Sequence, residues 1–259
     1  MTEREKRVQW FQNARFGMFL HWGLYAIPGR GEWYMSGARM PAKEYERYMQ
    51  EFTAKAYDPR DWARRAKRAG MQYVVLTAKH HDGFCLFDSK LTDYKSTNAP
   101  CGRDLVREFV DAVRAEGLRV GLYYSLIDWH HPDFPKYNDC NHPMRGDPAY
   151  QDEKIDFDRY LAYMHGQIEE LVTNYGRIDI LMNNAGVNIS PQFRAPITRF
   201  HDDKYHWNMD VNLHGLVECS RAAIPYMLSA GGGNIINTTS ICGVTGLRLQ
   251  CAFVGSKFA

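Results

Sequence analysis

Short apolar runs alternate along this chain with longer stretches that have helical spacing. Five runs are bounded by turn residues and are short enough to form buried strands; they lie at residues 16–21, 73–78, 119–125, 178–183 and 234–240. The helical patterns fall between them, at residues 61–69, 105–116, 160–174 and 203–228. Three of these stretches are closed by glycines that suit helix C-caps, namely Gly70, Gly117 and Gly176. Strand alternating with helix predicts an α/β fold with a parallel sheet and right-handed crossovers.

The overall composition narrows the class of protein and the compartment. A chain of 259 residues with 45% hydrophobic content can bury a substantial core, and a net charge of +2 predicts neither nucleic acid nor a membrane surface as a partner. The six cysteines show no Cys-x-x-Cys spacing, which favours a reducing compartment. The charged start lacks the apolar segment of a signal peptide, so we expect a cytoplasmic location.

Polar and aromatic residues gather where the predicted strands end. His21 ends the first strand, and His80 and His81 follow the second. Tyr123, Tyr124 and Trp129 come at or after the end of the third. Long loops at residues 22–58 and 129–158 leave the same strand ends, where α/β folds build their sites. Imidazoles beside aromatic rings suit a sugar, whose hydroxyls need hydrogen-bond partners while its C–H faces pack on rings.

A metal site is the alternative use of the same residues. The candidate ligands are His80, His81, Asp82, His130 and His131. Adjacent residues of an extended segment point to opposite faces, so His80 and His81 cannot both bind one ion from a strand. The sequence therefore predicts no metal.

Four long strings in residues 10–175 resemble the N-terminal half of the catalytic barrel of the α-L-fucosidase family of glycoside hydrolases. They are WFQNARFGMFLHWGLYAIPGRGEWY, TAKHHDGFCLFDS, GLYYSLIDWHHPDFPKY and YMHGQIEELVTNYG. The resemblance implies a (β/α)₈-type barrel and removal of terminal fucose with retention of configuration. By position it also implies a fucose subsite lined by His21, Glu32, Trp33, His80, His81 and Tyr124, with Tyr123 as the alternative to Tyr124 and with Trp129 at the border.

The nucleophile of that family does not carry over. The resemblance places the nucleophile one residue after the strand predicted at residues 178–183, where this chain has Asn184. A retaining glycosidase needs a carboxylate there and a second carboxyl group about 5–5.5 Å away. The second group belongs to the later half of the family's barrel, and the nearest acidic residue here, Asp179, is predicted to be structural. We therefore expect hydrolysis to be weak or absent.

Residues 176–259 resemble a different family, the short-chain dehydrogenases and reductases. The strings are GRIDILMNNAG, MDVNLHG, GGGNIINTTS and FVGSKFA. The resemblance implies that Asn212, Ser240 and Lys257 match three members of a catalytic tetrad, and Phe253 stands where the proton-donating tyrosine is expected. No glycine-rich dinucleotide fingerprint follows an upstream strand. The chain stops two residues after Lys257, which indicates a fragment or a fusion.

Taken together, the patterns predict half of a (β/α)₈-type barrel at residues 1–177 joined to a partial Rossmann-like parallel sheet at residues 178–259. The two parts share the strand at residues 178–183, and the sequence does not decide whether the sheet closes into a barrel. The leading hypothesis is a fucosidase-like chain that acts on glycans with terminal fucose and uses no cofactor. The alternatives are a reductase remnant that binds NAD(P) and a non-catalytic chimeric scaffold, engineered or accidental. The oligomeric state is not predicted.

Overall fold

A computed structural model describes residues 9–10, 12–183, 186–188 and 194–258 of the chain. Its five strands form one parallel sheet: β1 (Gly17–Leu20), β2 (Tyr73–Lys79), β3 (Arg119–Tyr124), β4 (Ile180–Asn183) and β5 (Asn234–Asn237). They lie side by side in chain order, β1-β2-β3-β4-β5. The five predicted strands and their parallel arrangement are thus confirmed, with shifts of up to three residues at the strand ends.

The order of the strands is that of a barrel segment. A (β/α)₈ barrel adds each new strand beside the previous one, whereas a complete doubly wound sheet reverses direction at a switch point. No such reversal occurs among the described strands. β4, the strand predicted to be shared, pairs with β3 on one edge and β5 on the other. The sheet therefore agrees with half of a fucosidase-type barrel, and its order does not show a Rossmann-like half.

The two faces of the sheet have different surroundings. Leu76, Leu122 and Leu181 pair across three strands and belong to the main apolar core. Val75, Gly121 and Ile180 also pair across the strands but lie one residue earlier, on the opposite face. A Cβ placed on Gly121 would lie 2.7 Å from Val75 Cγ2 and 3.3 Å from Ile180 Cβ. Glycine at position 121 therefore lets Val75 and Ile180 approach β3 closely, on the face of the sheet opposite Leu122.

Three short helices fill the loop after β1, namely α1 (Tyr34–Gly37), α2 (Ala42–Tyr45) and α3 (Arg47–Glu51). The crossover helices are α4 (Pro59–Arg68), α5 (Leu105–Ala115) and α6 (Phe157–Asn174). Each crossover helix begins after an aspartate whose side chain accepts a hydrogen bond from the third residue of the helix. These caps are Asp58, Asp104 and Asp156.

The predicted C-cap glycines have the backbone conformation that this role requires. Gly70, Gly117 and Gly176 have φ of 83°, 68° and 67°, in the left-handed region that glycine adopts at least cost. Each lies in the turn between a crossover helix and the next strand. The sequence pattern therefore located the three helix ends correctly.

The long helix predicted at residues 203–228 is interrupted. α7 (Asp202–Met209) runs into a π-helical turn (Asp210–His214) and then into α8 (Gly215–Ser229), which contains Pro225. α9 (Cys251–Phe258) packs against α7 and the π-helical turn. Extra residues in a π-turn widen a helix locally, which a 3.6-residue periodicity does not reveal. None of the helices in the described part of the chain combines the length and apolar character needed to cross a membrane.

Candidate functional site

The strand ends bring three imidazoles and a phenol together. His21 follows β1, His80 and His81 follow β2, and Tyr123 lies near the end of β3. The ring centroids of His21 and His80 are 5.5 Å apart, those of His80 and His81 are 4.2 Å apart, and those of His80 and Tyr123 are 5.8 Å apart. Parallel strands place their carboxyl ends at one edge of the sheet, so residues distant in sequence converge there.

Two tryptophans form a wall beside these rings. Trp33 and Trp129 lie 5.5 Å apart by ring centroid, and both contact His81, at 4.8 Å and 5.3 Å. Trp129 is buried whereas Trp33 is 41% exposed, so the wall reaches the surface at Trp33. The six rings are called the aromatic cluster below. Its members are His21, Trp33, His80, His81, Tyr123 and Trp129.

The structure separates the two tyrosines that the sequence left as alternatives. Tyr123 contacts His21 and His80, with ring centroids 5.9 Å and 5.8 Å away. Tyr124 instead belongs to the main core, and its hydroxyl donates a 2.7 Å hydrogen bond to Gln167 Oε1 of α6. The first choice, Tyr124, therefore lies on the helix-covered face of the sheet, and the alternative, Tyr123, is the tyrosine of the aromatic cluster.

The imidazoles of the aromatic cluster are held in the neutral form. Burial lowers the pKa of His81 to about 3 and also lowers the pKa values of His80 and His21. The Glu32 carboxylate opposes this effect at His21, which places Glu32 near the cluster. A neutral imidazole has one donor and one acceptor nitrogen, which suits a sugar hydroxyl better than a cation does.

The contacts of His81 assign its two nitrogens. The Ser125 hydroxyl donates to the Ile127 carbonyl at 2.6 Å, so its oxygen is left to accept from His81 Nδ1 at 2.6 Å. His81 Nε2 is then the acceptor nitrogen. His80 Nδ1 is also buried and has no hydrogen-bond partner within the described residues. Because a buried polar atom without a partner is costly, His80 Nδ1 is suited to a ligand hydroxyl.

A buried ion pair supports the strand ends from the helix side. Lys79 Nζ lies 2.8 Å from Asp128 Oδ2, and both side chains are almost fully buried. Burial alone would raise the pKa of Asp128, but Lys79 holds it below its ordinary value. Asp128 Oδ1 accepts from the backbone N–H groups of His130 and His131, at 3.1 Å and 2.9 Å. The pair thus links the end of β2 to the loop that carries Trp129.

The sequence placed Lys79, Ser125 and Asp128 among the polar residues at the strand ends but predicted no role for them. A lysine directly after an apolar strand was the available signal, because a buried lysine requires an acidic partner. The partner lies 49 residues away in sequence. Only the sheet register shows that the two residues meet.

Asp82 makes the stability of the fold depend on pH. Burial raises its pKa from 3.8 to about 7, so the folded protein holds a proton that the unfolded chain releases above about pH 4. The free energy of unfolding should therefore fall as pH rises from about 4 to about 7, by at most about 1.4 kcal/mol per pH unit. Asp82→Asn keeps an oxygen for the Phe84 backbone N–H and removes the titration.

Urea unfolding of the two proteins across this range measures the effect. We expect Asp82→Asn to gain stability relative to the unsubstituted protein as pH rises. Other titrating groups, including Asp139, are present in both proteins and cancel in the difference. Parallel stability curves for the two proteins would contradict a buried, protonated Asp82.

Of the two positions that the sequence raised beside β4, one lies outside the described residues and the other precedes the strand. Asn184, at the nucleophile position, is outside the described residues. Asp179 precedes β4, lies 3.3 Å from Arg177 and 3.7 Å from Arg119, and accepts from the Val120 backbone N–H at 3.3 Å. Asp179 therefore sits at the amino end of the strand, as predicted. No cluster of metal-ligand type is found where the chain is described.

The residues that resemble a reductase tetrad lie beyond β4. Asn212, in the π-helical turn, bonds to both backbone groups of Val187, at 2.7 Å and 2.8 Å. A Cβ placed on Gly186 would lie 2.6 Å from Lys257 Nζ and 3.3 Å from Asn212 Oδ1. Asn212 and Lys257 therefore meet at Gly186.

The other two positions contribute differently. Ser240 caps the short helix Ile241–Gly243 by accepting from the Cys242 backbone N–H. Phe253 lies on α9, one helical turn before Lys257.

Comparison with known proteins identifies one family. The family model described as α-L-fucosidase matches residues 1–221. The tissue α-L-fucosidase of Mus musculus is 41% identical over 142 residues, which is 48% of this chain and 31% of the mouse protein. The plasma α-L-fucosidase of Rattus norvegicus is 33% identical over 191 residues, covering 67% of this chain and 39% of the rat protein. The chain thus spans about a third of the length of these curated relatives.

Solved structures agree with the sequence relatives. α-L-Fucosidase isoenzyme 1 from Paenibacillus thiaminolyticus superposes with a TM-score of 0.74 and 49% identity, over 93% of this chain and 52% of that one. An α-L-fucosidase from Bacteroides thetaiotaomicron, trapped as a covalent intermediate with 2-fluoro-fucosyl fluoride, gives a TM-score of 0.63 and 30% identity. That match covers 89% of this chain and 48% of the relative.

Proposed function

This chain belongs to the α-L-fucosidase family, and we propose on that basis that the aromatic cluster binds the terminal fucose of a glycan. The observation that carries the proposal is His80 Nδ1, a buried nitrogen without a partner in the described part of the chain. It lies in a ring of neutral imidazoles walled by two tryptophans. Neutral donors and acceptors suit sugar hydroxyls, and the indole faces suit the C–H faces of the sugar.

We further propose that hydrolysis by this chain is weak or absent. The Bacteroides relative was trapped as a covalent intermediate, which is the intermediate of a retaining mechanism. Forming it requires a carboxylate, and the residue after β4 is Asn184. A neutral amide does not supply the negatively charged oxygen that attacks the sugar carbon. Loss of a catalytic nucleophile costs several orders of magnitude in rate.

Release of nitrophenol from an aryl α-L-fucoside tests this second proposal. The matched control is His21→Ala, which removes a ring of the aromatic cluster while leaving Asn184 in place. We expect the unsubstituted chain to release nitrophenol no faster than this variant does. Turnover well above the His21→Ala rate would overturn the proposal, because it would mean that another group supplies the nucleophile.

A second candidate function rests on the contact between Asn212, Gly186 and Lys257. Together with Ser240 these residues match the short-chain dehydrogenase pattern, so the candidate is a remnant that binds NAD(P). Phe253 argues against turnover, because a phenyl ring has no proton to donate. A rise in the melting temperature with NADP(H) would favour this candidate, since a ligand that binds only the folded state stabilises it.

A further inference from the structure

Trp129, in the wall of the aromatic cluster, is contacted by two residues of the loop that follows it, Asp139 and His142. Its backbone N–H donates a 2.7 Å hydrogen bond to the His81 carbonyl. Its carbonyl lies beside the ring of His142, and its indole N–H lies beside the carboxyl group of Asp139. Trp129, Asp139 and His142 are each at least 98% buried. Trp129 is thus approached at its backbone and at its side chain from residues 139–142.

Three buried polar atoms at Trp129 have no hydrogen-bond partner among the described residues. They are Trp129 Nε1, Asp139 Oδ2 and His142 Nε2. Burial raises the pKa of Asp139 to about 7, and the Asn141 backbone N–H and the nearby Trp129 indole oppose that rise. The carboxyl group of Asp139 therefore lies beside the indole N–H and is able to accept from it.

The same segment is tied to the other tryptophan. Arg145 Nη1 donates to the Ser36 carbonyl at 3.1 Å, to Ser36 Oγ at 3.3 Å and to the His142 carbonyl at 2.9 Å. Arg39 Nη1 donates in return to the Arg145 carbonyl at 3.0 Å. Ser36 belongs to α1, the helix that follows Trp33 directly. Residues 139–145 therefore connect the supports of Trp33 and Trp129.

We infer that residues 139–145 form a positioning segment that sets the spacing of Trp33 and Trp129, with Asp139 placing the Trp129 indole and Arg145 placing α1. The inference rests on the proposed fucose site, because it assigns the segment a role in sugar affinity. The physical reason is that a buried indole N–H without an acceptor is costly, and the Asp139 carboxyl group beside it is able to accept. Asp139 and Arg145 act through the tryptophans and are positioning residues.

The test compares Asp139→Leu, which removes the acceptor at similar volume, with the conservative variant Asp139→Asn, which keeps one. The protein is labelled with 5-fluorotryptophan, and its six tryptophans are followed by fluorine NMR, with Trp129→Phe and Trp33→Phe assigning the two signals. We expect Asp139→Leu to shift or broaden the Trp129 signal and to weaken L-fucose binding about tenfold. Asp139→Asn should keep both close to the unsubstituted protein.

A second variant keeps the inference testable if Asp139→Leu does not fold. Arg145→Met cuts the link to Ser36, and we expect it to move the Trp33 signal and to weaken L-fucose binding. An unmoved Trp129 signal in folded Asp139→Leu, or an unmoved Trp33 signal in Arg145→Met, would overturn the inference. If both signals move but the unsubstituted protein does not bind L-fucose, the proposed function fails while the positioning role stands.

Discussion

Replacing Asp128 with alanine is expected to lower the free energy of unfolding by about 3–5 kcal/mol. The substitution leaves the Lys79 ammonium in an almost fully buried site without its carboxylate. It also removes the acceptor of the backbone N–H groups of His130 and His131. A buried charge without a partner costs far more than an exposed one. Urea unfolding monitored by circular dichroism measures the change.

Asp210→Ala is the matched control for this prediction. Asp210 also forms an ion pair, with His214 at 2.9 Å, but both side chains are substantially exposed. Exposed pairs contribute about 0–1 kcal/mol, so the control should change stability little. Equal losses of stability in Asp128→Ala and Asp210→Ala would contradict the expected cost of leaving Lys79 buried without its carboxylate.

Replacing His80 with alanine is expected to weaken L-fucose binding by about 10- to 100-fold. The substitution removes the buried nitrogen that has no partner among the described residues and that we assign to a fucose hydroxyl. Loss of a hydrogen bond in a buried site costs about 1–3 kcal/mol, and each 1.4 kcal/mol is tenfold in affinity. Titration calorimetry measures the dissociation constant directly.

His214→Ala controls for the loss of an imidazole at the surface. His214 lies in the π-helical turn and is exposed, so its removal should leave fucose affinity unchanged. Melting curves of both variants show whether His80→Ala remains folded at the temperature of the titration. Folded His80→Ala that binds L-fucose as tightly as His214→Ala would contradict the assignment of His80 to the pocket.

Local rules predicted the elements well. The short apolar runs predicted the five strands found among the described residues. The glycines at positions 70, 117 and 176 marked three helix ends. These features depend on periodicity and on backbone conformation within a few residues, which a single sequence displays. The π-helical turn was not predicted, because a 3.6-residue spacing of apolar positions does not distinguish a single π-turn from a continuous α-helix.

The choice between Tyr123 and Tyr124 depended on register. β2 and β3 pair regularly up to Thr77 and Tyr123, and a shift then brings Lys79 opposite Tyr124. Because a shift of one residue exchanges the two faces of a strand, the sequence could only offer both tyrosines. The Lys79–Asp128 pair was missed for a similar reason, since it depends on a contact between segments far apart in sequence.

Titration calorimetry of the unsubstituted chain with L-fucose and, separately, with NADPH tests the central claim most directly. The claim is that the half of the chain carrying the fucosidase pattern holds a working sugar pocket at its strand ends. We expect saturable, one-to-one heat with L-fucose and none with NADPH. Saturable heat with NADPH and none with L-fucose would contradict it.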